Sequence, residues 1–179
     1  YASIGIHESQ SRMFENQIGR SRAFCGHLLP KFTAAFGDRG LTADSFYAAI
    51  NRVHAGYIRT ESDEVHYNLH VLMRFDLERA LMNGDLKIAE LEGAWNDRFE
   101  ADFGLKVDHA ANGVLQDVHW SVGLFGYFPT YSLGNIYAGC LFEAMQTALP
   151  DLHRNFAAGD LAAPINWLTE NVHKHARML

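Results

Sequence analysis

The chain has 179 residues, of which 48% are hydrophobic and 20% charged, with a formal net charge of -6. That composition excludes wholesale disorder, and a chain of this length buries about 70% of its unfolded surface, enough for one domain with a large core. The negative balance argues against nucleic-acid binding, which needs a basic face. No apolar run reaches the ~18 residues that span a bilayer, and no charged-then-apolar leader is present, so neither nucleic acid nor membrane is a predicted partner. The first residue is Tyr1 rather than Met, so the chain reads as a piece of something longer. Cys25 and Cys140 have no metal-ligand spacing; two buried thiols in a reducing cytoplasm are the simpler account, with a disulfide left open.

Residues 3–36 read as helix, with apolar positions at Ile4, Ile6, Met13, Phe14, Ile18, Phe24, Leu28 and Leu29. Pro30 either kinks this run or begins a second helix. Gly37 to Gly40 is a turn, and Thr42 opens a short helix through about Arg52. Residues 53–60 resist a helical reading and are predicted extended, with at most a small strand pair near residues 53–58. Thr60 is a candidate N-cap with Asp63 three residues later. The helix that follows, to Asn83-Gly84, carries Val65, Leu69, Leu72, Met73, Leu77 and Leu81 around most of its circumference, as a buried central helix does. Asp85 caps the next helix, with Leu91, Trp95 and Phe99 in register and Gly104 as its stop. Residues 105–128 are irregular and rich in Gly, Asp, His and aromatics; so long a loop is usually functional. A helix from Thr130 ends at Leu149-Pro150, and two shorter ones follow, the last with Pro164 in its first turn. The fold class predicted is mostly α: one helical domain over 1–179 with at most a small strand pair.

Three stretches carry polar groups of chemical interest. His7-Glu8-Ser9-Gln10 places a carboxylate beside an imidazole; Glu8 is an acceptable zinc ligand where imidazoles fill the other positions. The plain alternative is a Glu8-Arg12 helical surface pair. Arg59 precedes the long helix, either as an ion-pair member with Glu61, Asp63 or Glu64 or as a guanidinium fork for a carboxylate. Gln116, Asp117, His119 and Trp120 crowd into the irregular loop. Asp117 can orient His119 by accepting from a ring nitrogen, and His119 can then donate to an oxyanion or to substrate; the alternative is a satisfied buried His-Asp pair. Tyr127, Tyr131 and Tyr137 line either core or pocket. His66 and His70 share a helix face at metal-binding spacing, but Tyr67 stands where a His-Glu-x-x-His motif has Glu, so the pair is read as a decoy. A metal protein built on those two histidines is the weakest reading.

Together these stretches resemble the Taq-type (thermostable) carboxypeptidase family of zinc metallocarboxypeptidases. His7-Glu8-Ser9-Gln10 is similar to the family's His-Glu-Ser/Gly-Gln motif. Ile58-Arg59-Thr60-Glu61-Ser62-Asp63 is similar to its Ile-Arg-x-x-Ala-Asp, with Ser62 replacing Ala. Residues 113–120 match Gly-x-x-Gln-Asp-x-His-Trp in full, and residues 125–131 are also similar. The resemblance implies a larger, all-helical zincin-like carboxypeptidase, homodimeric and cytoplasmic, that removes single amino acids from peptide C-termini. It implies Glu8 as a metal ligand, Arg59, Tyr131 and Tyr127 at the substrate carboxylate, and His119 and Gln116 lining the site, with Glu8, Arg59 and His119 in one cavity. The implied cofactor is zinc, with cobalt as a possible substitute, held in the full-length parent and not by this chain. The chain contains no His-Glu-x-x-His, so alone it is expected to bind zinc weakly and not to hydrolyse peptides. The competing expectation is a non-catalytic helical binding or dimerisation module derived from that fold. An exposed apolar face is expected where an upstream part would pack.

Overall fold

A computed structural model describes residues 3–175, and it is mostly α, with eight α-helices and no strand among the described residues. The chain divides into two compact units, Tyr1–Arg52 with Leu133–Leu179, and Val53–Ser132.

In the first unit, α1 (Ile4–Arg12) starts where the Ser3 hydroxyl accepts from the Ile6 N–H at 3.0 Å. It widens into a π-helical segment over Met13–Gly19 and stops. α2 (Arg22–Phe36) is a separate helix, because Ser21 adopts an extended conformation and accepts from the Phe24 N–H at 3.2 Å. The predicted single run is therefore broken ten residues before Pro30, and α2 continues through that proline without interruption. α3 (Ala43–Ile50) begins in a reciprocal capping box between Thr42 and Ser45.

α6 (Pro129–Ala148) contributes its residues from Leu133 onward to this unit. α7 (Leu152–Ala158) and α8 (Ala162–Asn171) complete it, with Pro164 in the first turn of α8 as predicted. Met13, Ile18, Ala138, Met145, Leu152, Phe156, Leu168 and Val172 form its core. Helix α1 meets α6 where side chains are small. A Cβ on Gly134 would lie 2.9 Å from Glu8 Cγ and 3.3 Å from the Glu8 carbonyl carbon, so only glycine admits this approach. Both cysteines are free; Cys25 is buried, but Cys140 is exposed on α6, contrary to the expectation of two buried thiols.

The second unit opens with residues 53–58 as irregular chain rather than the predicted strand pair, followed by a single 3-10 turn at Arg59–Glu61. α4 (Glu64–Asn83) is capped by Asp63, not Thr60. The Asp63 carboxylate is short enough to reach back to the Val65 and His66 N–H groups at 2.9 Å each. Gly84 closes α4 in the left-handed conformation, which costs glycine little. α5 (Leu91–Phe103) follows a 3-10 turn at Ile88–Glu90, displacing the predicted start at Asp85. Trp95, Phe99 and Phe103 are buried at intervals of four and pack with Met73 and Leu77 of α4.

α4 is not buried all round. Val65 and Leu72 are 58% and 48% exposed, while its inner face carries Tyr67, His70, Arg74 and Glu78. A strongly polar inner face is uncommon and demands partners for every group. Those partners come from the loop of residues 105–128, which holds only two short 3-10 turns, Ala110–Asn112 and Trp120–Val122. No helix of the described residues is long and apolar enough to cross a membrane.

Candidate functional site

The site in the second unit is built around one carboxylate. Asp117 Oδ2 accepts from Arg74 Nε at 2.6 Å and from Arg59 Nε at 3.2 Å, and Asp117 Oδ1 accepts from Arg59 Nη2 at 3.0 Å. Arg59 thus grips Asp117 with a two-pronged fork, the geometry that a planar guanidinium favours. Its third arm, Nη1, donates to the Tyr67 hydroxyl at 3.0 Å, and its guanidinium carbon lies 4.7 Å from the Tyr131 ring centroid. The Arg59 backbone N–H donates to Gln116 Oε1 at 3.2 Å, and Gln116 Nε2 donates to the Asn112 carbonyl at 2.9 Å. Gln116 therefore ties the 3-10 turn that carries Arg59 to the loop that carries Asp117.

Burial penalises each charge here, and the pairing decides the outcome. Burial pushes the Asp117 carboxyl up, but the Arg59 hydrogen bonds and the charges of Arg74 and Arg59 outweigh it and hold it at about 2. Burial pulls the Arg59 guanidinium down, and Asp117 more than reverses this. For Arg74, which has no exposed side-chain surface, burial wins over Asp117 and lowers it to about 10.

His119 is buried next to this cluster. Its Nε2 lies 2.9 Å from the Tyr131 hydroxyl, and its Nδ1 lies 3.3 Å from Asp117 Oδ1, out of line for a hydrogen bond. Asp117 faces His119 as anticipated, but its oxygens serve the two arginines first. Burial lowers the His119 pKa, with Asp117 opposing. Tyr127, Phe128 and Tyr131 surround the imidazole, with ring centroids 5.5, 4.6 and 5.8 Å away.

The expected partners of Arg59, namely Glu61, Asp63 and Glu64, are not the ones it uses. Asp63 instead caps α4, accepts from the His54 N–H at 2.8 Å, and contacts His66 Nδ1 at 2.8 Å. Sequence reasoning also missed Arg74 and Tyr67. Their signal was present in the spacing, because Tyr67, His70, Val71, Arg74, Leu77 and Glu78 recur every three or four residues and so share a helix face. The glutamate of that face, Glu78, accepts from Trp120 Nε1 at 2.9 Å and from the Gly126 N–H.

His66 and His70 do not form a metal pair. His70 Nε2 faces the Gly56 carbonyl at 3.1 Å, and its Nδ1 faces Arg74 Nη1 at 3.2 Å. A carbonyl only accepts and a guanidinium only donates, so His70 is neutral with its proton on Nε2. Burial, then Arg74, lowers its pKa to about 3.

Glu8 lies in the first unit, half-buried on α1 against Gly134. Arg12 does not pair with it: Arg12 Nη1 meets Glu15 Oε2 at 2.7 Å, and Arg12 Nε donates to Asn135 Oδ1 at 2.7 Å. Protein zinc sites take three or four side-chain ligands. Among the described residues no group of three or more His, Cys, Asp or Glu is placed to hold a metal, so these residues by themselves do not fit a zinc ion.

A cleft of about 330 Å³ opens beside Asp117, lined mainly by Leu91, Val114, Val118 and Trp120. It is mostly apolar, and it touches the ion-pair cluster only through that carboxylate.

The family profile described as carboxypeptidase Taq (M32) metallopeptidase matches residues 1–179. The chain is 42% identical to thermostable carboxypeptidase 1 of Thermus thermophilus over 172 residues, which cover 96% of this chain and 34% of that protein. It is 39% identical to carboxypeptidase 1 of Bacillus subtilis over 180 residues, covering 98% and 36%. The crystal structure of the M32 carboxypeptidase from Deinococcus radiodurans R1 superposes with a TM-score of 0.92 at 40% identity, covering 99% of this chain and 36% of that one. The chain spans about a third of the length of the curated relatives it matches. On the unbroken profile match and these identities, the chain belongs to the carboxypeptidase Taq (M32) family of metallopeptidases.

Proposed function

We propose that residues 1–179 are the C-terminal portion of the single catalytic domain of a zinc-dependent metallocarboxypeptidase that releases single amino acids from peptide C-termini. The observation that carries this reading is the profile match along the whole chain. The gathering of Arg59, Gln116, His119 and Tyr131 in one cluster supports it.

In this reading Arg59 and Tyr131, with Tyr127 beside them, hold the substrate's terminal carboxylate. A guanidinium and a phenol are the donors that such a group needs. His119 and Gln116 contact the substrate, and Gln116 fixes the Arg59 backbone. Glu8 supplies one ligand to the metal, zinc or in its place cobalt, which when bound polarises the scissile carbonyl and activates water. The remaining ligands and the catalytic base come from outside these residues. The protein acts in the cytoplasm on peptides, as a homodimer.

Expressed alone, the 179-residue chain is expected to show no chelator-sensitive release of C-terminal amino acids, whereas the full-length gene product is expected to show it. Turnover by the isolated chain that a chelator abolishes would sink the claim of inactivity. Absence of turnover by the metal-loaded full-length product would sink the enzyme assignment.

One observation favours a second reading. The Arg59 fork is already closed on Asp117, as in a structural ion pair, and a helical binding or dimerisation module would need nothing more. A full-length product without carboxypeptidase activity would select that reading.

A further inference from the structure

Glu78 is a buried carboxylate with no part in the Arg59–Asp117 fork. It is 4% exposed on the inner face of α4, and each of its oxygens takes a bond from the long loop. Oε2 accepts from Trp120 Nε1 at 2.9 Å, and Oε1 accepts from the Gly126 N–H. A carboxylate accepts at both oxygens, whereas a glutamine amide offers one acceptor and turns its own N–H groups toward the second donor. Two converging N–H donors therefore select glutamate over its isostere. The charge is answered on the same helix face, where Arg74 stands one turn earlier, so that Arg59 and Arg74 together balance Asp117 and Glu78.

The two bonds fall at particular places in the chain. Trp120 directly follows His119, and Gly126 directly precedes Tyr127. Between them the loop folds back on itself: the Gly123 N–H donates to the Trp120 carbonyl at 3.1 Å, and the Leu124 N–H donates to the His119 carbonyl at 2.8 Å. Its tip is exposed at Val122, Leu124 and Phe125. Exposed loops are ordinarily the more mobile parts of a fold. This one has both ends fixed to a single side chain of a helix. The imidazole and the phenol that flank it are thereby set side by side, with ring centroids 5.5 Å apart. Both also face Tyr131: His119 Nε2 lies 2.9 Å from its hydroxyl, and the Tyr127 ring centroid lies 5.4 Å from its own.

We propose that Glu78 is a positioning residue that sets the spacing of His119 and Tyr127 by clamping both ends of the loop between them. This rests on the carboxypeptidase reading of His119 and Tyr127 given above. Glu78 has both oxygens engaged and acts only through the loop. Releasing one end lets the two side chains drift apart, and a displacement of about 1 Å at groups that contact substrate costs up to about a hundredfold in rate.

The test uses the full-length, metal-loaded protein and an N-blocked dipeptide with a free C-terminal carboxylate. Glu78→Gln keeps the shape and supplies one acceptor in place of two. It is expected to lower kcat/KM by about ten- to a hundredfold at a temperature where circular dichroism shows it folded. The same substitution is then made in protein already carrying Tyr127→Phe and, separately, His119→Gln. In each background its cost is expected to shrink by about threefold or more, because part of what it positions is gone. A merely structural glutamate would cost the same in every background. Trp120→Phe removes one of the two donors and leaves α4 intact. It is expected to lower kcat/KM by about threefold to tenfold with the same dependence on background, and it carries the comparison where Glu78→Gln does not fold. In the wild-type protein the Gly126 N–H is expected to be protected from hydrogen exchange, although the loop tip beside it is exposed.

Unchanged kcat/KM in the folded variants, an equal loss in all backgrounds, or a wild-type Gly126 N–H that exchanges as fast as an exposed amide overturns the role of Glu78 while leaving the carboxypeptidase reading in place. A wild-type protein that does not cleave the dipeptide overturns both.

Discussion

At the residue scale, the second unit is organised by titratable groups held far from their ordinary values, and this fixes how it responds to acid. Asp117 is depressed to about 2 from 3.8, so its contribution is fully present above the ordinary carboxylate range and is lost as pH falls toward 2. His70 is depressed to about 3 from 6.5, so between those values the unfolded chain binds a proton that the folded chain refuses. Stability must therefore fall as pH drops through that window, well before Asp117 titrates. The urea midpoint is expected to decline between about pH 7 and about pH 4, and His70→Gln, which can still accept from Arg74 and donate to Gly56, should flatten that decline. A midpoint equally pH-dependent in the variant would remove His70 from the account. The residue-level expectations met the structure unevenly. Arg59, Gln116, His119 and Tyr131 were singled out from the sequence and do converge. The partner that holds Arg59 was misjudged, because nearest acidic neighbours in the chain were preferred over Asp117, 58 positions away.

At the scale of elements, the helices of the second unit are set by their ends as much as by their apolar faces. Asp63 accepts from the N–H groups of Val65, His66 and His54 at once, and burial of its carboxyl is outweighed by these bonds, which hold it at about 2. Asp63→Ala is expected to cost about 1–2 kcal/mol in chemical denaturation. Because the same carboxylate ties down the chain at His54, hydrogen exchange should rise at His54 as well as in the first turn of α4; protection retained at His54 would show that the cap acts on the helix alone. Thr60 was the more conspicuous cap in the sequence. It lost to Asp63 because Arg59–Glu61 forms a 3-10 turn of its own, which spends Thr60 inside an element. The break between α1 and α2 was hidden for a similar reason: apolar spacing runs on across Gly19 and Ser21, while the Ser21 hydroxyl competes for the backbone.

At the scale of the whole molecule, large apolar side chains remain in contact with solvent. Leu115, Val118, Val122, Leu124 and Phe125 of the long loop are all exposed, as are Val65 and Leu72 of α4. Apolar surface of this kind drives association. The isolated 179-residue chain is expected to sediment as a concentration-dependent mixture heavier than monomer, and Val118→Lys with Leu124→Lys should shift it toward monomer; an isolated chain monomeric at high concentration would contradict this. What the sequence by itself determined is what local chemistry controls: the helical class, the long helix and its glycine stop, the Leu91-Trp95-Phe99 ridge, and motifs that mark a family. Side-chain period and cap preference act over a few residues, so they can be read along the chain. Only the tertiary structure decided which charge answers which. Arg59 and Arg74, 58 and 43 positions before Asp117 in the chain, converge on it, and the low dielectric around them makes that one shared carboxylate outweigh every closer neighbour in sequence.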